Sequence, residues 1–112
     1  MAGKDFVNPF VLMAAGDMSG DLVSDSFETI QFDNIGIQFI WTGTPEGDFA
    51  VEISLDDENW TALPLSPAPA AAGAPDNAYV ELNQTTAKYI RCTYTQTASA
   101  GTLQILVDKK MV

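Results

Sequence analysis

The sequence predicts an all-β chain: a single antiparallel β-sandwich of seven or eight strands, of jelly-roll or Ig-like type. Three observations predict it. Residues 49–63 read as a hairpin, in which Phe49, Val51, Ile53 and Leu55 alternate with Ala50, Glu52 and Ser54, an acidic turn follows, and Trp60 opens the return strand. Successive strand side chains point to opposite faces, so this spacing writes one core face and one wet face. Similar alternating stretches recur along the chain, separated by turn residues roughly every 8–12 positions. No internal repeat and no long helical pattern competes with that reading.

The elements follow in chain order. Residues 1–20 are expected to form an N-terminal arm or edge strand, and residues 21–112 the sandwich. Phe6, Val7 and residues 10–15 are apolar but interrupted by Pro9, which cannot donate to a central ladder. Residues 11–14 are therefore a short edge strand, or part of an arm docking on a neighbour, and residues 16–20 a turn. Residues 27–32 alternate, with Ile30 and Phe32 on one side, and Asp33-Asn34 is a turn dipeptide. Residues 35–42 place Ile35, Ile37, Phe39 and Trp41 on one face and Gly36, Gln38, Ile40 and Thr42 on the other. Residues 43–47 turn, with Pro45 presetting φ and glycine able to supply a positive one.

The 49–55 strand, the 56–59 turn and a short strand from Trp60 to Leu63 come next. Residues 64–77 carry prolines at 64, 67, 69 and 75 and read as one long loop, a crossing between sheets or an exposed arm. Gly73 and Pro75 limit any helix at the alanines 70–72 to about one turn. Residues 78–82, 89–96 and 102–108 are strands, joined by turns at 83–87 and 97–101; Leu103, Ile105 and Val107 point inward.

A chain of 112 residues with 46% apolar content is one domain with a core of its own. The net charge of −10, from 15 acids and 5 bases, opposes binding to a phosphate backbone. Lys4, Lys88, Arg91, Lys109 and Lys110 form no basic run, so a partner is expected to be neutral or basic and not a nucleic acid. No apolar stretch approaches the roughly 18 residues of a membrane helix. The N-terminal residues lack the basic and apolar segments of a secretory signal, which predicts a chain made in a cytoplasm and kept whole. Cys92, the single cysteine, alternates with Ile90 and Tyr94 and reads as a small buried hydrophobe.

Two segments resemble a known group. Ser54-Leu-Asp-Asp-Glu-Asn-Trp-Thr-Ala-Leu63 and Lys88-Tyr-Ile-Arg-Cys-Thr-Tyr94 resemble the Trp hairpin and the following Tyr-Ile-Arg strand of discoidin-like, galactose-binding-like jelly rolls. The resemblance covers residues 35–108 and implies a jelly roll; the chain is shorter than such domains and lacks their extended calcium and sugar loops. In length, and in its segments 36–54 and 66–74, the chain is similar to small bacteriophage virion proteins, namely capsid decoration (cement) proteins and tail or neck accessory proteins. That likeness implies a non-enzymatic structural protein of a virion assembled in the host cytoplasm. It implies self-association, a trimer by analogy, and attachment to a major capsid protein or another virion protein. Stabilisation of the shell as a decoration protein is the first expectation; a carbohydrate-binding module of a tail or surface protein is the alternative.

Each role has candidate residues, and each candidate has a plainer reading beside it. For a partner surface the candidates are Phe6, Val7 and Phe10 of the arm, and Tyr89 and Arg91 on the outward face of their strand. Tyr and Arg are enriched at interface hot spots, but an ordinary strand face fits them equally well. For a sugar, Trp60 and Tyr89 could stack on a ring, although Trp60 also fits as the lid of its hairpin and Trp41 as core. Ile40 and Leu106 fall on nominally wet faces; exposed together they would mark a subunit contact. Asp56, Asp57, Glu58 and Asn59 are rich in oxygen but match no calcium-loop spacing, so a solvated turn is preferred and no metal or cofactor is expected. With no histidine, and with no nucleophile elbow or phosphate loop, enzyme activity is not expected.

Overall fold

The computed structural model describes residues 9–29, 34–83 and 85–110. Among the described residues ten strands appear in chain order: β1 (Phe10–Asp17), β2 (Leu22–Val23), β3 (Phe27–Glu28), β4 (Asn34–Gly43), β5 (Glu46–Ser54), β6 (Thr61–Ala62), β7 (Ala70–Ala72), β8 (Asp76–Leu82), β9 (Tyr89–Ala98) and β10 (Gly101–Lys110). They form two antiparallel sheets. One has the order β1-β10-β4-β8; the other runs β2-β9-β5-β6, with β3 also on β9 and β7 also on β5.

Taking β2 with β3, and β6 with β7, as interrupted single strands leaves eight. The chain then visits the two sheets alternately except between β5 and β6, giving orders 1-8-3-6 and 2-7-4-5. This is the double Greek-key arrangement of a jelly roll. The expected strand count and antiparallel sandwich therefore hold.

The alternation read from sequence sorts the inner faces. Ile35, Ile37, Phe39 and Trp41 of β4, Leu103, Ile105 and Val107 of β10, and Val80 and Leu82 of β8 are buried from one side. Phe49 and Val51 of β5 and Ile90, Cys92 and Tyr94 of β9 meet them from the other. The two sheets are keyed by aromatic rings: Phe49 lies 4.7 Å from Phe39, 5.0 Å from Trp41 and 5.0 Å from Tyr94. Trp41 keeps its indole N–H satisfied by donating to Ala74 O at 2.9 Å, which ties the start of β8 to the core.

Hydroxyl groups complete the ladder of the second sheet where β2 and β3 are interrupted. Ser24 N donates to Cys92 O, while Ser24 Oγ accepts from Cys92 N at 2.9 Å and donates to Asp25 O. Thr29 Oγ1 donates to Ala87 O, and Thr29 N to Lys88 O. A buried backbone amide left unpaired is costly, and these two side chains supply what an unbroken strand would have supplied.

Three local expectations are corrected. Leu55, expected inward, is 73% exposed because β5 ends at Ser54. Ser54, expected on the wet face, is buried: the 55–59 loop folds over it, and its Oγ accepts from the backbone of Asp56 and Asp57. The alanines 70–72, expected as loop or a helical turn, form β7, paired with Glu46, Gly47 and Asp48 of β5. Ladder bonds to an existing strand outweigh the weak helix preference of three alanines. The crossing between sheets expected for residues 64–77 holds, since the chain passes from β6 and β7 in one sheet to β8 in the other. Ile30, Phe32 and Asp33, Lys4, and the arm residues Phe6 and Val7 lie outside the described residues.

Candidate interaction surfaces

The outer face of the β1-β10-β4-β8 sheet is built by the other half of each alternating pattern. Cross-strand register puts Val11, Leu106, Gln38 and Tyr79 in one row, with Gln104, Ile40 and Asn77 in the next. Directly opposed and diagonal side chains on one face touch, so Ile40 and Leu106, singled out from sequence, are neighbours here. Both are half-buried, while Val11 and Tyr79 are 53% and 61% exposed. The Tyr79 ring tip lies over Gly36, whose missing side chain leaves room for it, and Gln38 Nε2 donates to Asn77 Oδ1 at 3.2 Å. A shallow groove of about 180 Å³ runs beside the ring, between Pro9, Gly36, Gln38, Leu106 and Asp108. Sequence reasoning missed Tyr79, although the inward phase of Val80 and Leu82 is enough to place it outward.

Phe10, a candidate for the arm, begins β1 and is half-buried instead of extended away. It packs edge-on against Phe27 with centroids 5.5 Å apart, and Lys109 Nζ lies 5.4 Å from its ring centroid.

The outer face of the other sheet gathers most of the remaining candidates. Arg91 stands opposite Glu52 across β9 and β5, its Nε donating to Glu52 Oε1 at 2.6 Å. The Arg91 guanidinium also lies 4.4 Å from the Trp60 ring centroid. This Glu52–Arg91–Trp60 stack explains why an arginine sits within a strand: its charge is paired and its plane is covered. It also occupies one face of the indole that a sugar ring would use. Tyr89 is half-buried on the same face of β9, with Lys88 Nζ 5.5 Å from its ring centroid. A second groove, of about 420 Å³, separates the 55–59 loop from Thr86 and Ala87.

The acidic loop organises itself. Asp56 Oδ1 accepts from the amides of Glu58 and Asn59 and from Ser54 Oγ, and Asp56 Oδ2 from Asn59 Nδ2 at 2.6 Å. Bonds from Asn59 above all, then from Glu58 and Ser54, hold this carboxyl well below the usual carboxylate range. A depressed folded-state pKa contributes stability that is present above the unfolded value near 3.8 and is lost as pH falls below it. Asp56→Asn keeps an acceptor and removes the titration. Its urea midpoint is therefore expected to fall less than the parent's between pH 5 and pH 2; an equal fall would remove Asp56 from the acid response. Among the described residues no group of three or more acids and cysteines could hold a metal ion.

Two further titratable groups lie inside. Burial pushes the Cys92 thiol up to about 12, which keeps it protonated and unreactive at neutral pH. The Tyr94 hydroxyl is buried and meets no hydrogen-bond partner among the described residues. Burial first, then the nearby Asp48, Asp21 and Glu46 carboxylates, raises its pKa.

Charge is unevenly spread along the strand axis. Asp17, Asp21, Glu46, Asp48 and Asp76 cluster where β1 ends and β5 and β8 begin; Lys88, Arg91, Lys109 and Lys110 lie at the start of β9 and the end of β10. Among the described residues no basic side chain accompanies those five acids at their end of the sandwich. A partner for that end would carry positive charge.

No family model matches the sequence, and no curated protein matches it. Among solved structures, the fold is similar to the crystal structure of SPBc2 prophage-derived protein YomS. The likeness has a TM-score of 0.63 and spans 96% of this chain and 98% of that one, at 10% sequence identity. It is a likeness of fold, with matching length. No helix among the described residues is long and apolar enough to cross a membrane.

Proposed function

We propose that this chain is a non-enzymatic structural protein of a bacteriophage particle and, within that class, a capsid decoration protein. The observation that carries the reading is the whole-length likeness of fold to a prophage-derived protein, reached at 10% identity. The outer face of the β1-β10-β4-β8 sheet supports it. A row with Val11 and Tyr79 more than half exposed, beside Ile40 and Leu106, is the kind of surface that a subunit contact covers. In this reading that face seats the protein on a virion partner, such as the major capsid protein, and each seated copy adds contacts that strengthen the shell.

The test is an inventory of virions produced from a genome that carries the gene, by mass spectrometry and electron microscopy. The chain is expected in purified particles at a copy number that follows the shell lattice. Deleting the gene is expected to lower the temperature at which particles release DNA. Absence from particles would overturn the virion reading. Presence only at the copy number of a tail component would keep the virion role and overturn decoration.

A further inference from the structure

We propose that β8 is an association edge, and that two copies of this chain pair β8 to β8 about a two-fold axis through Tyr79. The pairing stands on the edge itself and does not need the virion reading.

An edge strand presents unpaired N–H and C=O groups, and folded proteins usually blunt it with bulges, proline, lysine or shortness. At the edges of the second sheet the strands are two or three residues long. On the first sheet, β1 follows Pro9 and breaks register with β10 twice, between Val11 and Met13 and again between Met13 and Gly16. β8 also follows a proline, Pro75, and carries two acids, Asp76 and Glu81, but it is neither bulged nor short. It runs seven residues in unbroken register with β4, from Asp76 opposite Trp41 to Leu82 opposite Ile35. It contains no proline, glycine or lysine, and no described strand pairs with its other side.

The occupant follows from the pattern. With one edge open and the other bulged, the first sheet cannot propagate into a ring or fibre; it closes when two open edges meet, which is an isologous contact. The sequence Asp76-Asn-Ala-Tyr-Val-Glu-Leu82 is self-complementary in the antiparallel sense. Centred on Tyr79, Ala78 faces Val80, Asn77 faces Glu81, Asp76 faces Leu82 and Tyr79 faces itself. Inward residues meet inward residues, and no carboxylate faces another, which matters for a chain of net charge −10. A one-residue slip in either direction sets inward against outward, and in one direction it also brings Asp76 to Glu81. Slips of two residues shorten the ladder. The product is an eight-stranded sheet shared by two copies, with both Tyr79 rings on its outer face.

Asn77 offers a sign test, because its partner across the axis is Glu81. Asn77→Glu and Asn77→Lys both remove the bond from Gln38, so any difference between them reports the facing charge. Light scattering after size exclusion is expected to give the parent a mass of about 24 kDa, two chains of 12.0 kDa. Asn77→Glu is expected to raise the dissociation constant by at least about tenfold, and Asn77→Lys to leave it unchanged or lower it. A parent that stays monomeric at every concentration would overturn the pairing. So would a dimer that responds equally to both signs. A trimer would overturn it too, while sparing self-association and a place in the virion.

Discussion

Phe49→Ala is expected to lower the unfolding free energy by about 3–5 kcal/mol, the range for emptying a buried phenylalanine site. Folded domains hold on the order of 5–15 kcal/mol, so the loss takes a large share of the whole. The reason lies in where the ring sits. Phe49 is 3% exposed on β5 and touches Phe39 and Trp41 of the opposite sheet, besides Tyr94 on its own. Removing it takes away the ring that joins both layers, and the neighbours are large, flat and held by their own strands. Phe39 and Tyr94 are themselves almost wholly buried, so neither can swing in without emptying its own place. The urea midpoint should drop sharply with an unchanged slope. A loss below about 1 kcal/mol would mean that the sheets close over the gap, and that the core is more plastic than its ring packing implies.

The burial of Phe49 is legible in the sequence, and other features are not. Period-two alternation places Phe49, Val51, Ile37, Phe39, Trp41, Ile90, Cys92, Leu103 and Ile105 inward because each lies in a strand long enough to show the period. Such a signal is local. It fails at Leu55, where the strand stops one residue early because Ser54 turns its hydroxyl to the following amides. Asp57 then takes a positive φ of 62°. It fails at residues 70–72, where three alanines carry no alternation at all and pairing with Glu46, Gly47 and Asp48 decides the outcome. It is silent on Ser24 and Thr29, whose partners lie 68 and 58 residues away.

The candidate surfaces show the same limit. Alternation puts Arg91 outward, but its meeting with Glu52 and Trp60 depends on the β5–β9 register and on the return of the hairpin. Ile40 and Leu106 stand out in sequence as misplaced apolar residues, with nothing to say that they adjoin. Strand order makes them neighbours and adds Val11 and Tyr79. That β8 is an open edge, and β1 a bulged one, follows from sheet order and register, which no single strand encodes. Jelly-roll order is implied by resemblance; the alternation itself is equally at home in an Ig-like sandwich.

Gly101→Ala is expected to cost about 1–3 kcal/mol, the range for forcing a methyl into a closed site, and Gly101→Val more. Gly101 stands opposite Gly43 where β10 begins and β4 ends. A Cβ there would overlap Thr42 O and come within 2.9 Å of Pro45 Cδ. Neither neighbour is free to yield. Thr42 O belongs to the β4 backbone, and Pro45 is a rigid ring buried in the turn that carries the chain from one sheet to the other. Gly43 adds a constraint from the other side: it holds a φ of 84°, a conformation that favours glycine, and its own Cβ would lie 2.8 Å from Gly101 Cα. Met18 N and Thr44 N also donate to Gly101 O and Ala100 O, so moving the β10 start disturbs two more segments. Gly20→Ala is the matched control, since a Cβ there meets nothing within 4 Å. Urea melts should separate the two, with Gly20→Ala near the parent and Gly101→Ala well below it. Equal midpoints would show that the β4–β10 crossing can open at no cost. The close approach of Gly43 and Gly101 would then be a consequence of the fold and not one of the contacts that hold it.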